Sequence, residues 1–200
     1  MIRNIVFDFG GVLIDWNPEY LFRDVFRDSS EMDHFLENIC NSDWNERQDA
    51  GRPLSEAIRT LQERHPDYHD EIRMYYEQWT TMLGGPIEDN AALLEPLRSR
   101  YRLFGLTNWS AETFPIAREM YSLFDWFEGI VISGEERLKK PDERIYRVLL
   151  ERYGLKSAES LFIDDRLDNV QAAEGLGFQT IHLAEGKNLE TEFRLLGILA

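Results

Sequence analysis

Acidic and basic side chains stand directly after apolar runs of the sequence, where buried strands would end. Asp8 follows the first of these runs, and Asp164 and Asp165 close the fourth. Lys140 lies beyond the third run, immediately before Pro141. Ligands of open parallel α/β sheets bind beyond the carboxyl ends of the strands. We therefore expect the sheet to bring three carboxylates and one ammonium group to a single binding edge.

The charge of this set indicates a metal ion and a phosphate. Asp8, Asp164 and Asp165 contribute three negative charges, and Lys140 returns one positive charge. Crowded carboxylates raise one another's pKa unless a cation lies between them. Mg²⁺ prefers oxygen ligands and is held by one or two carboxylates together with a substrate phosphate. With Mg²⁺ and Lys140 the pocket is about neutral, so a phosphate dianion can enter, whereas without the metal we expect its exclusion.

The apolar runs themselves predict the sheet that positions these groups. They cover residues 4–9, 102–106, 129–132, 160–163 and 179–183. Helical patterns separate the later runs, and strands that alternate with helices indicate a parallel sheet with right-handed crossovers. The expected fold class is therefore α/β, with a Rossmann-like three-layer core.

The segment between the first two runs has a different pattern. Residues from about 17 to about 84 contain no convincing strand and read as amphipathic helices at 19–26, 30–40, 54–64 and 67–82. A helical block that follows the first strand of an α/β sheet is a candidate cap. We predict a cap domain at 16–85, inserted into a catalytic core formed by 1–15 and 86–200.

Four motifs carry a resemblance to a known family. In chain order they are Asp8-Phe9-Gly10-Gly11-Val12, Thr107-Asn108, Lys140-Pro141-Asp142 and Phe162-Ile163-Asp164-Asp165. The set resembles the motifs of haloacid dehalogenase superfamily hydrolases that have a helical, C1-type cap. The later motifs are similar to the sugar-phosphate phosphatase branch that includes alpha-D-glucose-1-phosphate phosphatase. Each motif alone is weak, but four in order, each at a strand end, are specific.

The resemblance implies a Mg²⁺-dependent phosphatase of small phosphorylated metabolites, with sugar phosphates as the leading substrates. Asp8 would attack phosphorus and become an aspartyl-phosphate, which water then hydrolyses. Asp8, the Gly10 carbonyl and Asp165 would hold the metal, with Asp164 as a further ligand or behind the ligands.

The resemblance also implies which groups bind the phosphate. Thr107 and the Asn108 amide would hold phosphate oxygens, and the loop at Gly10 and Gly11 would lie against them. Lys140 would neutralise charge on both the nucleophile and the phosphoryl group. Thr107 and Lys140 are therefore catalytic candidates together with the nucleophile.

One position departs from the family pattern. Most phosphatases of this superfamily have a second aspartate two positions after the nucleophile, which protonates the leaving oxygen, but here Gly10 stands there. Such acid–base help is worth ~10²–10⁴-fold. The enzyme could prefer leaving groups that need little protonation, or another carboxylate, such as Asp15, Asp43 or Glu46, could substitute. It could also be a weakly active, phosphate-binding regulatory protein. Gly10 disfavours dehalogenation and phosphomutase action.

Three tryptophans near the motifs are candidate substrate contacts. Trp16 follows the first motif, Trp109 follows the second, and Trp44 lies in the predicted cap. Large aromatic side chains often wall a sugar or another ring, and they also often pack a core. We take Trp16 and Trp44 as predicted substrate contacts and leave core packing as the alternative for all three.

Composition excludes several classes of partner. The 200 residues carry a formal charge of −15, which repels nucleic acid and anionic membranes. The expected partner is a small-molecule phosphate ester, and the chain could be a monomer or a homodimer. Cys40 is the one cysteine, and neither a signal peptide nor a bilayer-spanning apolar run is apparent. We therefore expect a cytoplasmic protein.

Overall fold

The computed structural model describes residues 1–199. The strands of that range are, in chain order, β1 (Asn4–Phe7), β2 (Ile14–Trp16), β3 (Leu83–Pro86), β4 (Arg102–Thr107), β5 (Gly129–Ile132), β6 (Ser160–Asp164) and β7 (Gln179–His182). Five of them form a parallel sheet in the order β5-β4-β1-β6-β7, and β2 pairs antiparallel with β3. The predicted α/β class and its five parallel strands are confirmed.

The α-helices of the same range alternate with the later strands and fill the segment between β2 and β3. They are α1 (Glu19–Phe22), α2 (Ser29–Asn38), α3 (Ser42–Asp49), α4 (Leu54–Arg64), α5 (His69–Glu77), α6 (Glu88–Ala91), α7 (Leu94–Arg98), α8 (Phe114–Met120), α9 (Ser133–Glu136), α10 (Glu143–Tyr153), α11 (Leu167–Gly175) and α12 (Leu189–Leu195). Short 3₁₀ helices lie at Pro66–Tyr68, Trp79–Met82, Ser122–Trp126 and Ser157–Glu159. Every helix described here is too short or too polar to cross a bilayer.

The central strand ends two residues earlier than predicted because the chain turns at Phe9. The Phe9 carbonyl accepts hydrogen bonds from the amides of Leu13 and Ile14, both at 2.8 Å. This tight turn takes the backbone out of the sheet directly after Asp8. It leads into β2, which pairs with β3 and so brings the start and the end of the helical insert together.

The sheet is covered on both faces, which gives the three-layer arrangement. Side chains of a strand alternate between its faces. Ile5 and Phe7 of β1 belong to one hydrophobic core, which continues into the helical insert. Val6 belongs to the other core, where Tyr146 and Leu149 of α10 pack on the sheet. Because both faces are buried, the strands read as continuous apolar runs rather than alternating ones.

The predictions for the insert were partly wrong. The region 67–82 is not one helix, because it divides into a 3₁₀ turn, α5 and a second 3₁₀ turn. The sequence reading missed α3, which buries only Trp44 and Gln48 and therefore has little apolar periodicity. It also missed β2 and β3, whose three and four residues are too few for an alternating pattern. The domain boundaries at 16 and 85 fall within this strand pair, and the division into cap and core stays a prediction.

Candidate active site

The structure brings the predicted charged residues together at the carboxyl ends of β1 and β6. Asp8 directly follows β1, Asp164 ends β6, and the two strands are neighbours in the sheet. The Lys140 Nζ atom lies 2.9 Å from Asp8 Oδ2 and 2.6 Å from Asp164 Oδ2. All three residues are buried. A single ammonium group is thus shared by two buried carboxylates.

Three carboxylates at this edge form a cluster of the kind that holds a divalent cation. Asp8, Asp164 and Asp165 each place one oxygen within 4.8 Å of the others. Asp164 is also held by the Arg166 amide and the Asn169 side-chain amide, both at 2.9 Å from Oδ1. With its other oxygen on Lys140, Asp164 is better placed to orient the cluster than to bind an ion directly. This all-oxygen donor set fits Mg²⁺.

The electrostatics of the cluster favour an added positive charge. Burial raises the pKa of Asp8 to about 7, Lys140 lowers it, and Asp164 and Asp165 raise it. Burial also raises the pKa of the Asp165 carboxyl, and Asp164 raises it further. Burial alone would lower the pKa of Lys140, but Asp164 and Asp8 hold it above its usual value. One lysine does not neutralise three crowded acids, and a bound cation would.

Thr107 and Asn108 at the end of β4 have different roles from one another. Thr107 is buried, and its Oγ1 atom has no hydrogen-bond partner within the described part of the chain. An unpaired buried hydroxyl is costly, so Thr107 is available for a phosphate oxygen. The Asn108 side chain is already engaged, because it accepts from the Lys140 amide at 2.8 Å and donates to the Lys140 carbonyl at 3.0 Å. The Asn108 side chain therefore positions Lys140.

Gly10 and Gly11, which follow Asp8, differ in whether a side chain would fit at their positions. Gly11 has φ +70°, and a Cβ atom there would lie 2.6 Å from Asp165 Oδ2. This position needs glycine both for its left-handed backbone and for the close approach of Asp165. A Cβ atom at Gly10 would meet no heavy atom within 4 Å. The space beside Gly10 is therefore open.

Gly10 lines a cavity of about 120 Å³ that is partly open to solvent. Its lining combines residues of the strand ends and of the insert: Gly10, Trp16, Asn45, Asp49, Tyr76, Trp79, Asn108, Trp109, Ser110 and Thr113. Four of these side chains are aromatic. The cavity thus joins the phosphate-binding edge to a largely apolar wall.

The structure separates the three candidate tryptophans. Trp16 and Trp109 line the cavity, but Trp44 does not belong to the described lining. Trp44 packs in the core with its ring 5.2 Å from that of Tyr75, in an edge-to-face arrangement. The structure thus favours the core-packing alternative for Trp44, and its contact with substrate stays a prediction. Trp79, which the sequence reading did not single out, lines the cavity instead.

None of the three acids proposed to replace the missing aspartate is among the described cavity residues. Asp15 accepts a hydrogen bond from the Tyr20 hydroxyl at 2.6 Å, and Asp43 is exposed at the start of α3. Glu46 pairs with Lys139 Nζ at 2.5 Å and with Arg166 Nη1 at 2.7 Å. Asp15 and Glu46 are thus each engaged by another partner.

A fourth acid, Asp49, does line the cavity. Its carboxylate accepts from Asn45 Nδ2 at 3.3 Å, and the nearby Ser110 amide lowers its pKa. Its carbonyl oxygen accepts from the Ser133 hydroxyl at 2.5 Å. Burial raises the pKa of Asp49 to about 7, Glu46 raises it and Lys139 lowers it. Asp49 comes four residues after Asn45, so the two side chains share one face of a helix. This relation can be predicted only when α3 is recognised.

Comparison with known proteins agrees with this geometry. The family model of haloacid dehalogenase-like hydrolases matches residues 2–177. A sesquiterpene phosphatase of Aspergillus oryzae is 30% identical over 192 residues, which cover 96% of this chain and 94% of that protein. A D-ribitol-5-phosphate phosphatase of Bacteroides thetaiotaomicron is 23% identical over 207 aligned positions, with 98% of both chains covered.

A solved structure shares the fold over nearly the whole chain. It is a HAD family enzyme of Bacteroides thetaiotaomicron, crystallised with magnesium and inorganic phosphate. It superposes with a TM-score of 0.73 at 23% identity, covering 97% of this chain and 100% of that one. The four motifs, the strand-end cluster and the family match over most of the chain agree, and the chain belongs to the haloacid dehalogenase-like hydrolases.

Proposed function

We propose that this hydrolase is a Mg²⁺-dependent phosphatase that cleaves phosphate monoesters of small metabolites through an aspartyl-phosphate on Asp8. The observation that carries the proposal is the cluster of Asp8, Lys140, Asp164 and Asp165, which adjoins the turn whose Gly10 lines the cavity. Phosphoryl transfer needs positioning and charge stabilisation more than covalent machinery, and this cluster supplies both.

The residues divide the work of the first step. Asp8 Oδ attacks phosphorus while Lys140, held by Asn108, stabilises negative charge on the nucleophile and the phosphoryl oxygens. Thr107 donates its free hydroxyl to one of those oxygens. Mg²⁺ held by Asp8, Asp165 and the Gly10 carbonyl would supply further positive charge beside the transferring group. The positioned charges stabilise the transition state without reorganisation at the moment of reaction.

The cavity wall favours an apolar or aromatic alcohol as the leaving group. Trp16, Tyr76, Trp79 and Trp109 offer apolar surface, and burying such surface is worth roughly 25 cal/mol per Å². Several polar groups of the lining are already paired with one another: the Tyr76 hydroxyl donates to Asn45 Oδ1 at 2.9 Å, and Trp109 Nε1 donates to Thr113 Oγ1 at 3.1 Å. The similarity to a sesquiterpene phosphatase points in the same direction.

Sugar phosphates are the second candidate substrates. The motif resemblance indicates them, and a ribitol-phosphate phosphatase is among the relatives. Tryptophan faces also stack on sugar rings. A sugar would, however, need partners for its hydroxyl groups, and the paired polar groups of the wall offer few.

Phosphate release from a panel of esters tests both parts of the proposal. The panel contains p-nitrophenyl phosphate, 3-phenylpropyl phosphate, farnesyl phosphate, glucose 1-phosphate and ribitol 5-phosphate, each with Mg²⁺ and with EDTA. We expect turnover that needs Mg²⁺, is abolished in Asp8→Asn, and is fastest on the apolar esters. Faster turnover of the two sugar phosphates would reverse the substrate assignment. Phosphate binding without turnover of any ester would favour the inert regulatory protein.

The cytoplasmic location and the choice between monomer and homodimer stay predictions from the sequence. Localisation of a tagged chain tests the first of them. Light scattering of the purified protein tests the second. Neither result bears on the phosphatase assignment.

A further inference from the structure

We propose that Asp49, contributed by the helical insert, is the acid–base residue that replaces the aspartate missing at Gly10. This inference rests on the phosphatase function proposed above. Gly10 and Asp49 line the same cavity, one from the turn after β1 and the other from the end of α3. A carboxyl group that the family places on the nucleophile loop is thus supplied from the opposite wall.

The vacant volume at Gly10 is the first support. No heavy atom lies within 4 Å of the position that a Cβ atom would take there. A neighbouring side chain has not filled the space, so substrate and a carboxyl from another element can meet in it. Among the described residues that line the cavity together with Gly10, Asp49 has the one carboxyl group.

The second support is that the core holds Asp49 in place. The Ser110 amide, which lowers the pKa of the Asp49 carboxyl, lies in the loop that follows β4 and includes Asn108. The Ser133 hydroxyl binds the Asp49 carbonyl at 2.5 Å and also accepts from the Trp109 amide at 2.9 Å. An acid that works across a domain contact must keep its geometry, and these bonds tie Asp49 to the loop beside Thr107.

The protonation state suits an acid at neutral pH. Burial raises the pKa of Asp49 to about 7. Of the charged groups around it, Glu46 on its own helix raises the pKa, and Lys139 from the loop after α9 lowers it. General acids work best when their pKa lies near the operating pH.

Asp49 then donates the proton that the first step needs and accepts a proton in the second step. In the first step an Asp8 oxygen bonds to phosphorus, the ester P–O bond breaks, and the leaving oxygen takes the proton of the Asp49 carboxyl. In the second step a water oxygen bonds to phosphorus and gives a proton to the Asp49 carboxylate. The bond between phosphorus and Asp8 breaks, phosphate leaves, and Asp49 is protonated again.

Asp49→Asn tests this role with two substrates of different leaving-group acidity. The parameter is kcat/KM, because it reports the step that releases the alcohol. We expect a loss of about 10²–10³-fold on 3-phenylpropyl phosphate, whose alkoxide needs a proton, and less than about threefold on p-nitrophenyl phosphate. Equal losses on both esters would identify Asp49 as a structural anchor and overturn the proposal, as would no loss on either.

Two further variants complete the test. Asp43→Asn changes an exposed acid of the same helix and should leave both values unchanged. Gly10→Asp in the Asp49→Asn background returns a carboxyl to the open space. It should raise kcat/KM for 3-phenylpropyl phosphate at least tenfold above that of Asp49→Asn alone. Thermal melting of each variant checks folding.

The wild-type enzyme offers an independent measurement should Asp49→Asn fold poorly. Its kcat/KM over aryl phosphates of graded leaving-group acidity should change little, because an acid protonates the leaving oxygen. A steep dependence would overturn the proposal. A wild-type chain that hydrolyses no ester at all would instead refute the phosphatase function itself, so the two failures are distinguishable.

Discussion

The active site that we propose has a phosphate end at the strand-end cluster and a leaving-group end at the cavity, and the two are built in different ways. At the phosphate end, Asp8, Thr107 and Asp164 lie at the carboxyl ends of three neighbouring strands, and buried ion pairs hold Lys140 among them. At the leaving-group end, the wall comes from β2, α3, α5 and a 3₁₀ turn, together with the loop after β4. One end is positioned by a sheet and the other by the packing of an insert.

This difference explains how one scaffold could keep its chemistry while its substrates vary. Backbone hydrogen bonds between parallel strands hold the phosphate end, so its geometry survives changes in surrounding side chains. A small number of polar contacts ties α3 to the core, among them the pairs of Glu46 with Lys139 and Arg166. Side chains on the insert can therefore change without moving the nucleophile, whereas changes at the strand ends should be severe.

The largest effect is expected at the phosphate end, from Lys140→Met. This change leaves the buried Asp8 and Asp164 carboxylates without their shared cation, and breaking a buried pair costs about 3–5 kcal/mol. We expect loss of turnover and a corresponding drop in the free energy of unfolding measured with urea. Lys139→Met is the matched control, because it removes only a partly exposed pair and should cost under about 1 kcal/mol. Similar costs for both lysines would contradict the comparison.

Gly11→Ala should have the next largest effect. The new Cβ atom would lie 2.6 Å from Asp165 Oδ2 at a backbone with φ +70°. We expect a destabilisation of about 1–3 kcal/mol and a weaker apparent affinity for Mg²⁺ in activity titrations. Gly10→Ala, where a Cβ atom meets nothing within 4 Å, should change stability by less than about 0.5 kcal/mol. Equal destabilisation by both would show that the loop does not depend on this contact.

A milder effect is expected at the leaving-group end, from Trp16→Ala. Trp16 is half-buried and lines the cavity, so its removal takes apolar surface from the substrate without disturbing Asp8. We expect KM for 3-phenylpropyl phosphate to rise about tenfold, which corresponds to ~1.4 kcal/mol of lost contact. The inhibition constant Ki of inorganic phosphate should stay within twofold. A rise in both values would place Trp16 at the phosphate end.

The last effect is a gain in stability that disappears at low pH, from Asp49→Asn. The pKa of Asp49 is about 7 in the folded protein, against about 3.9 for an unfolded aspartate. The folded state binds the proton of the Asp49 carboxyl more tightly than the unfolded state does. The protonated carboxyl therefore makes its full contribution to the free energy of unfolding below pH 4, and this contribution is lost as the pH rises to 7. Asparagine cannot ionise, so we expect the variant to melt above the wild type at pH 8. A pKa difference of about three corresponds to about 4 kcal/mol, or roughly 8–16 °C for a chain of this size. At pH 4 the two should melt together, and equal differences at both pH values would contradict the raised pKa.

Much of the phosphate end was predictable from short motifs. Asp8 and Asp164 follow uninterrupted apolar runs, and a run buried on both faces of a parallel sheet can end only at the sheet edge. The sequence therefore predicted both the α/β class and the meeting of these acids. It did not predict that the Asn108 side chain would bind the Lys140 backbone, since that depends on how two distant loops lie against each other.

The sequence by itself determined the sheet, the edge where the charged groups meet and the position of Asp8 at that edge. Only the tertiary structure decided that Trp44 packs in the core while Asn45 and Asp49 line the cavity. Successive residues of an α-helix point about 100° apart, so the face that meets the substrate depends on how the whole helix docks. Strand ends carry their side chains to a known edge, whereas a short polar helix acquires its orientation only from the contacts it makes.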